Sequence, residues 1–395
     1  MRGMPGAVWR LTFAYILMMA GTPMMVLLAG IIGTDIAPTP GLATLPIALV
    51  VVGVASATLP TGRLLDRFGR RPVFLAYGMI AIVSALLAML GLAERDFTVF
   101  CVAAFLMGWS GAAGHQYRFA ALESVPIELA PKATSFLLLG GVFSAFIGPE
   151  LAVRGRALLD VEYAGSWLLL LGSYLAGIAL IAGYDDRTVH QATDRRHGRP
   201  LREIFKAPSI RIAVLAAALG YGVMSFIMTA TPISMHVHAG HSLDATKFVI
   251  QSHIAAMYLP ALVFPWLYAR LGWRRMLWAG ITVYALCLAI ALIDRSFMHY
   301  WVALVLLGVG WNFLFLSGTN LLPSGYRTEE RFRVQSTNDF LVFSVQAIVS
   351  LSAGWLLHLW HWQGIIAISY VPLIACAALL LRYREQTMTG QRDIR

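Results

Sequence analysis

Ionisable side chains inside apolar sequence are where chemistry would rest in this chain, because a charge in a bilayer-like medium is costly and persists where it faces water or a partner. Of its twenty acids nearly all lie in polar stretches; Glu150, Asp339 and the borderline Glu123 are the exceptions. A carboxyl group in a poorly solvated site favours its protonated form, which suits it to carry a proton between two exposures. Glu150 is the first candidate for proton coupling, the alternative being an ion pair with Arg154 or Arg156. His115 is a second titratable candidate, near neutral pH, although a lone helix histidine also serves simply as a hydrogen-bonding residue. It shares a stripe of three- and four-residue spacing with Gly108, Gly111, Arg118 and Leu122, so His115 and Arg118 occupy one helix face. Arg118 either binds an anionic group or pairs with Glu123.

Polar and aromatic residues punctuate other apolar segments. Tyr221, Ser225 and Thr229 recur every four residues; Trp311, Asn312, Thr319 and Asn320 follow further on; Gln251, His253 and Gln346 complete the set. Such groups seek another helix or water. Together they suit a cavity for a mid-sized organic solute with aromatic or hydrogen-bonding groups, while each alone is equally explained as glue between helices. His236, His238 and His241 follow one apolar span, His299 opens another, and His358 and His361 follow a third, all on the outer side of the second half, where they could bind a transition metal or sense external pH. Without cysteines or clustered acids beside them they point to solvated loops and interfacial anchoring more than to a metal site. Cys101, Cys287 and Cys376 fall in apolar spans, as packing residues, and neither a disulfide framework nor a cofactor is expected.

The elements that must position these residues are membrane helices. The chain is 58% hydrophobic and 13% charged, with a mean hydropathy of +0.71, far from a soluble globular composition. A crossing helix needs roughly 20 apolar residues. Twelve such stretches are expected near 11–32, 44–65, 73–92, 98–122, 133–153, 164–184, 210–235, 248–271, 276–293, 299–322, 335–357 and 362–383. The first is too long for a signal-peptide core and lacks a small-residue cleavage site, so it is expected to be retained. With the N-terminus inside, 24 of the 30 Lys and Arg fall in cytoplasmic segments and five outside, with Arg118 inside a helix. That asymmetry places both termini in the cytoplasm. It also accounts for the +10 net charge without nucleic acid, leaving membrane lipids as a further partner of the basic face.

One charged run carries more than topology. Gly62-Arg63-Leu64-Leu65-Asp66-Arg67-Phe68-Gly69-Arg70-Arg71-Pro72 lies between expected helices 2 and 3, and it resembles the signature loop of the major facilitator superfamily of transporters. A weaker echo, Tyr268 to Arg275, sits between helices 8 and 9 and keeps the glycine, Gly272, and the basic pair, Arg274 and Arg275, but lacks the acid. The resemblance implies an all-α fold of twelve spans in two six-helix halves, here 1–184 and 210–395, joined by a cytoplasmic linker at 185–209. It implies a conformational latch: Gly62, Asp66, Arg67, Gly69, Arg70 and Arg71, with Asp66 at the start of helix 11 near Asp339 and Arg70 paired to Glu123, or else Glu128. A carboxylate at a helix N-terminus and an ion pair between halves give that latch its physical sense. The alternative is that these charges only fix topology.

Ser144 to Ala152 is similar to the Gly-Pro motif of proton-coupled antiporters, through Gly148 and Pro149, which would let helix 5 bend and pack against helix 8; the glycine pair expected after it is Ala152 and Val153 here. In that superfamily helices 1, 4, 7 and 10 line the cavity, where His115, Arg118, Tyr221, Ser225, Thr229, Gln251, Trp311, Asn312 and Asn320 are the candidate contacts. The usual helix-4 arginine lies about four turns earlier, where this chain has Ala103 and Ala104. The expectation is a secondary transporter of a small organic solute in a bacterial inner membrane, a functional monomer, proton-coupled and leaning to efflux. Uptake of a metabolite and a non-transporting receptor or assembly role are the alternatives. No H-E-x-x-H or G-x-S-x-G pattern supports an enzyme.

Overall fold

The computed structural model describes residues 5–125, 130–184, 199–327 and 330–392; several side chains within them, including those of Asp66, His115, Arg118 and Glu123, lie outside the description. Among the described residues there are helices and no strands. Apolar sequence of this length has one economical solution in lipid, since every backbone N–H and C=O must be satisfied within its own segment.

The helices are α1 (Gly6–Met19), α2 (Gly21–Ile36), α3 (Leu45–Phe68), α4 (Arg70–Ala93), α5 (Phe97–Gly111), α6 (Gly114–Glu123), α7 (Ala130–Gly155) and α8 (Ala164–Ala182). After the short α9 (Leu201–Ile204) follow α10 (Pro208–Pro232), α11 (Leu243–Tyr258), α12 (Phe264–Ile293), α13 (Phe297–Leu321) and α14 (Arg331–Arg392). Among the described residues, eight stretches are long and apolar enough to cross a membrane. Large apolar side chains on these helices face outward, among them Phe143, Ile293, Ile348 and Val371, each at least 60% exposed. In water such a surface would be a liability; this is a multi-pass membrane protein.

Several expected single spans are broken. The first is divided at Ala20 into α1 and α2, and the fourth at Ala112 and Ala113 into α5 and α6. Expected helix 8 stops at Tyr258, passes through a tight turn at Leu259–Leu262 and resumes at Phe264, because Pro260 and Pro265 remove backbone donors there. Expected helix 7 ends in a wide-pitch turn at Ile233–His238. The two last expected spans form one run that breaks at His361, where φ is 54°.

Two compact units emerge: Met1–Ala192 with Thr231–Gln251, and Thr193–Ala230 with Ser252–Arg395. In the first, a core of Leu11, Phe74, Tyr77 and Tyr117 is closed by a Phe74–Tyr117 stack at 4.5 Å and by the Thr61–Tyr77 hydroxyl pair at 2.7 Å. In the second, Ile204, Ile210, Ala213, Leu321 and Val334 form a cluster at one end of α10 and α13. Each unit uses a glycine for close helix contact: a Cβ at Gly108 would meet the Val50 carbonyl oxygen at 2.0 Å, and one at Gly308 the His253 carbonyl oxygen at 2.6 Å. Small residues that let backbones approach replace the hydrophobic driving force that lipid does not supply.

Candidate functional site

The charged run after α3 turns on Gly69, whose backbone (φ 79°, ψ 175°) ends α3 and starts α4 within one residue. Gly272 in the echo adopts nearly the same geometry (φ 74°, ψ 163°). Only glycine occupies this region without a Cβ penalty. The two loops therefore share their backbone as well as their residue order. Arg70 Nη1 donates to the Gln116 carbonyl oxygen of α6 at 3.4 Å, so the basic pair does reach the element that carries Glu123. The Arg67 guanidinium lies 5.2 Å from the Phe68 ring centre, and Arg270 in the echo sits over Trp266 at 4.3 Å. Arg71 is exposed, and the backbone of Asp66 lies in the last turn of α3. Asp339 is exposed on α14 and accepts from Asn338 Nδ2 at 3.1 Å. Gly62 stands in open space. The side chains of Asp66, His115, Arg118 and Glu123, and all of Glu128, lie outside the described residues, so the structure gives no contact for them.

On α7 the alternative offered for Glu150, an ion pair with Arg154, is present, Nε to Oε1 at 2.8 Å, whereas Arg156 pairs with Glu162. The stronger partner comes from distant sequence. Lys247 on α11 places Nζ 3.0 Å from Glu150 Oε2 and 3.1 Å from Asp244 Oδ1. Lys247 is 16% exposed and Glu150 35%, whereas Arg154 is 74% exposed. One turn away, Gln251 Nε2 donates to the Phe146 carbonyl oxygen at 3.1 Å. Residues 146 and 150 share a helix face, and residue 148 lies about 200° around it. Accordingly Gly148 serves a different neighbour: a Cβ there would lie 2.2 Å from the Ala20 carbonyl oxygen, at the break between α1 and α2. Gly140 likewise packs on Ile16 and Thr12. The helix-5 glycines thus seat α7 on the first span, while Glu150 and Phe146 face α11; Pro149 is buried and α7 continues through it.

The polar set of the second unit divides into glue and an aromatic cluster. Thr229 donates to Ser350 Oγ at 3.4 Å, and buried Ser225 lies 4.0 Å from Met224 Sδ. Asn320 bonds its own helix through the Leu316 carbonyl, at the edge of a groove of about 370 Å³ beside Phe264 and Tyr268. Asn312 Nδ2 donates to the Met257 carbonyl at 2.7 Å, while its Oδ1 is buried with no partner among the described residues. Tyr221 of α10 meets Trp311 and Phe315 of α13 edge-on at 5.2 and 5.0 Å, and Phe343 of α14 at 5.9 Å. Tyr258 of α11 meets Trp311 at 6.1 Å.

The profile of the Major Facilitator Superfamily matches residues 11–348. The chain belongs to that superfamily. It is a transporter, and these proteins are not enzymes. The riboflavin transporter RfnT of Brucella anthropi is 32% identical over 374 residues, which cover 92% of this chain and 94% of that relative. The uncharacterised MFS-type transporter YdeG of Bacillus subtilis is 31% identical over 340 residues, covering 82% and 79%. Among solved structures, the nucleoside transporter NupG superposes with a TM-score of 0.77 at 12% identity over 95% of this chain and 100% of its own. The POT family transporter PepTSo gives 0.76 at 12% identity, over 97% and 99%. At those identities the superpositions speak for the fold.

The transporter also holds groups that sequence spacing did not single out. Tyr258, Phe315 and Phe343 join the aromatic cluster; Phe315 stands four residues after Trp311, the one local signal that could have found it. Glu330, its side chain fully buried, accepts from Arg199 Nε at 2.9 Å, Arg199 Nη2 at 2.8 Å and the Arg327 backbone N–H at 2.9 Å. Those bonds, with Arg199 foremost, hold the Glu330 carboxyl well below the usual carboxylate range. The Arg199 carbonyl is in turn bonded by Arg333. Of the histidines at these span ends, His236 lies in the wide-pitch turn and pairs Nδ1 with the His241 carbonyl oxygen at 2.6 Å, and His299 lies in the first turn of α13 beside Ser296 at 2.7 Å. Among the described residues no group of three or more His, Cys, Asp or Glu is placed to hold a metal ion.

Proposed function

We propose that this transporter moves riboflavin, or a solute with the same planar heteroaromatic ring and polyol chain, across a bacterial inner membrane by alternating access. The observation that carries the substrate is the near full-length similarity to the Brucella anthropi riboflavin transporter. The aromatic cluster around Trp311 agrees with it, since planar rings are recognised by aromatic faces and edges. The architecture we assign is twelve spans in two halves, 1–184 and 210–395, with both termini and the 185–209 linker in the cytoplasm, working as a monomer. The distribution of Lys and Arg supports that orientation. In this reading Asp66, Arg70, Glu123 and Asp339 serve the inner latch, supported by the bond from Arg70 to α6.

Coupling is to protons through Glu150. Its carboxylate shares charge with Lys247 at 3.0 Å in a part-exposed site, so a proton and the ammonium compete for the same oxygen. Protonation removes the charge that holds Lys247 and frees α11 from α7; loss of the proton restores the pair. His115 remains a second proton site and, with Arg118, lines the cavity. The Gly148-Pro149 step favours export by antiport.

Sealed proteoliposomes loaded with a pH dye and challenged with riboflavin test this directly. Riboflavin should drive proton movement, with alkalinisation or acidification of the lumen giving the direction. Glu150→Gln should reduce that proton flux about tenfold or more while riboflavin exchange persists, because the amide cannot be charged. Riboflavin movement with no proton signal in the parent protein would remove Glu150 from coupling.

A further inference from the structure

Within the second unit, five rings from four helices meet: Tyr221, Tyr258, Trp311, Phe315 and Phe343. Trp311 and Phe315 are stacked, centres 5.0 Å apart and planes within 14°, and Tyr221 closes both edge-on. Trp311 is 4% exposed, yet its four companions are only half-buried. The cluster is thus a wall with an enclosed centre and part-open faces.

Its polar atoms set it apart from plain packing. A buried indole N–H normally finds an acceptor, as Trp301 does in Ser252 Oγ and Trp362 in the Ala291 carbonyl, both at 3.0 Å. Trp311 Nε1, buried in the cluster, has none among the described residues, and neither has Oδ1 of the adjacent Asn312. Trp167 in the first unit shares that lack, but it is wholly enclosed, against a Phe100 that is itself fully buried. The backbone next to the cluster is also irregular. α11 ends at Tyr258 and tightens into a 3-10 turn at Leu259–Leu262, where Pro260 lacks a backbone donor.

We propose that this cluster is the binding surface for the planar ring of the transported solute. The ring lies against the part-open faces of Tyr221, Tyr258, Phe315 and Phe343, with a ring carbonyl or nitrogen accepting from Trp311 Nε1–H. Asn312 Oδ1 accepts from a ring N–H. An isoalloxazine supplies all three features: an extended π-face, carbonyl and nitrogen acceptors, and one imide N–H. The inference rests on the flavin reading of the substrate and adds to it which part of the flavin is recognised, and by which residues.

The test uses the purified full-length transporter in nanodiscs and follows quenching of flavin fluorescence. Probes are riboflavin, lumiflavin, which keeps the ring without the polyol chain, and ribitol, which is the chain alone. Riboflavin and lumiflavin should both bind and be quenched, and ribitol should not compete. Trp311→Phe should weaken both flavins about fivefold to tenfold, the scale of one lost hydrogen bond to a neutral acceptor. Tyr221→Leu, on another helix and at a half-buried position, should weaken them by a similar factor. Each variant is accepted only if it elutes as the parent does and unfolds at the same temperature. If riboflavin binds the parent and both variants equally, the cluster is packing and the inference falls while the substrate reading stands. Competition by ribitol without binding of lumiflavin would also overturn it. If no flavin binds the parent, both fall.

Discussion

Glu150 illustrates how much one carboxylate's role depends on its partners. Alone in an apolar helix it would favour its neutral form; beside Lys247 and Arg154 it is one member of a four-charge chain that ends in Asp244. Under the proposed proton coupling, a proton would replace the ammonium as the partner of the Glu150 carboxylate. Glu330 differs in its enclosure: its side chain is buried and accepts four bonds from Arg199 and Arg327. A depressed carboxyl stabilises the fold above its unfolded-state value and loses that contribution as pH falls toward the folded value. Thermal unfolding of Glu330→Gln should therefore lie several degrees below the parent above about pH 5, with the gap narrowing as pH drops below roughly 4.3, the ordinary glutamate value. An unchanged gap across that range would contradict the assignment. Glu150 stood out in the sequence because acids in apolar helices are few. Lys247 did not, because its partner lies 97 residues away, and no local spacing encodes that distance.

At the scale of elements, two glycines and several helix breaks decide what is positioned. Gly69 and Gly272 turn the chain in the same way at matching points of the two motif copies. The positive-φ, extended-ψ backbone there penalises a Cβ, so Gly69→Ala should cost about 1–3 kcal/mol. Gly62, in the same motif but helical and in open space, should tolerate alanine with no loss, alanine being the better helix former by roughly 0.5–1 kcal/mol. Denaturation of the two variants side by side in one detergent measures the contrast; equal losses would mean that motif identity, not backbone geometry, governs both. The motif order and the echo were readable from glycine, basic pairs and proline. The breaks were less so. Pro260 and Pro265 announce the interruption after Tyr258; Gly21 and Pro23 follow the break at Ala20, and Gly111 and Gly114 bracket the one at Ala112–Ala113, but glycines recur through these helices and do not mark a break by themselves. The seat of Gly148 on Ala20 was hidden for the same reason: a small residue in a helix signals close approach without naming the neighbour.

For the whole molecule, apolar composition, the charged loop and its echo already spoke for a membrane transporter of this superfamily, and the family match agrees. Substrate was the part composition could not name. Polar and aromatic residues in apolar helices identify a class of solute at most, since the same side chains join helices to each other, as Thr229 and Ser350 do. What carries the proposal from that class to flavin is similarity to the Brucella anthropi riboflavin transporter over 92% of the chain, together with a ring cluster whose central N–H has no partner among the described residues. Counterflow tests this central claim without depending on coupling or direction. Proteoliposomes preloaded with unlabelled riboflavin and diluted into a trace of radiolabelled riboflavin should show a transient internal overshoot of label, absent from protein-free vesicles and suppressed by excess external riboflavin. Label that enters no faster than in protein-free vesicles would contradict the account.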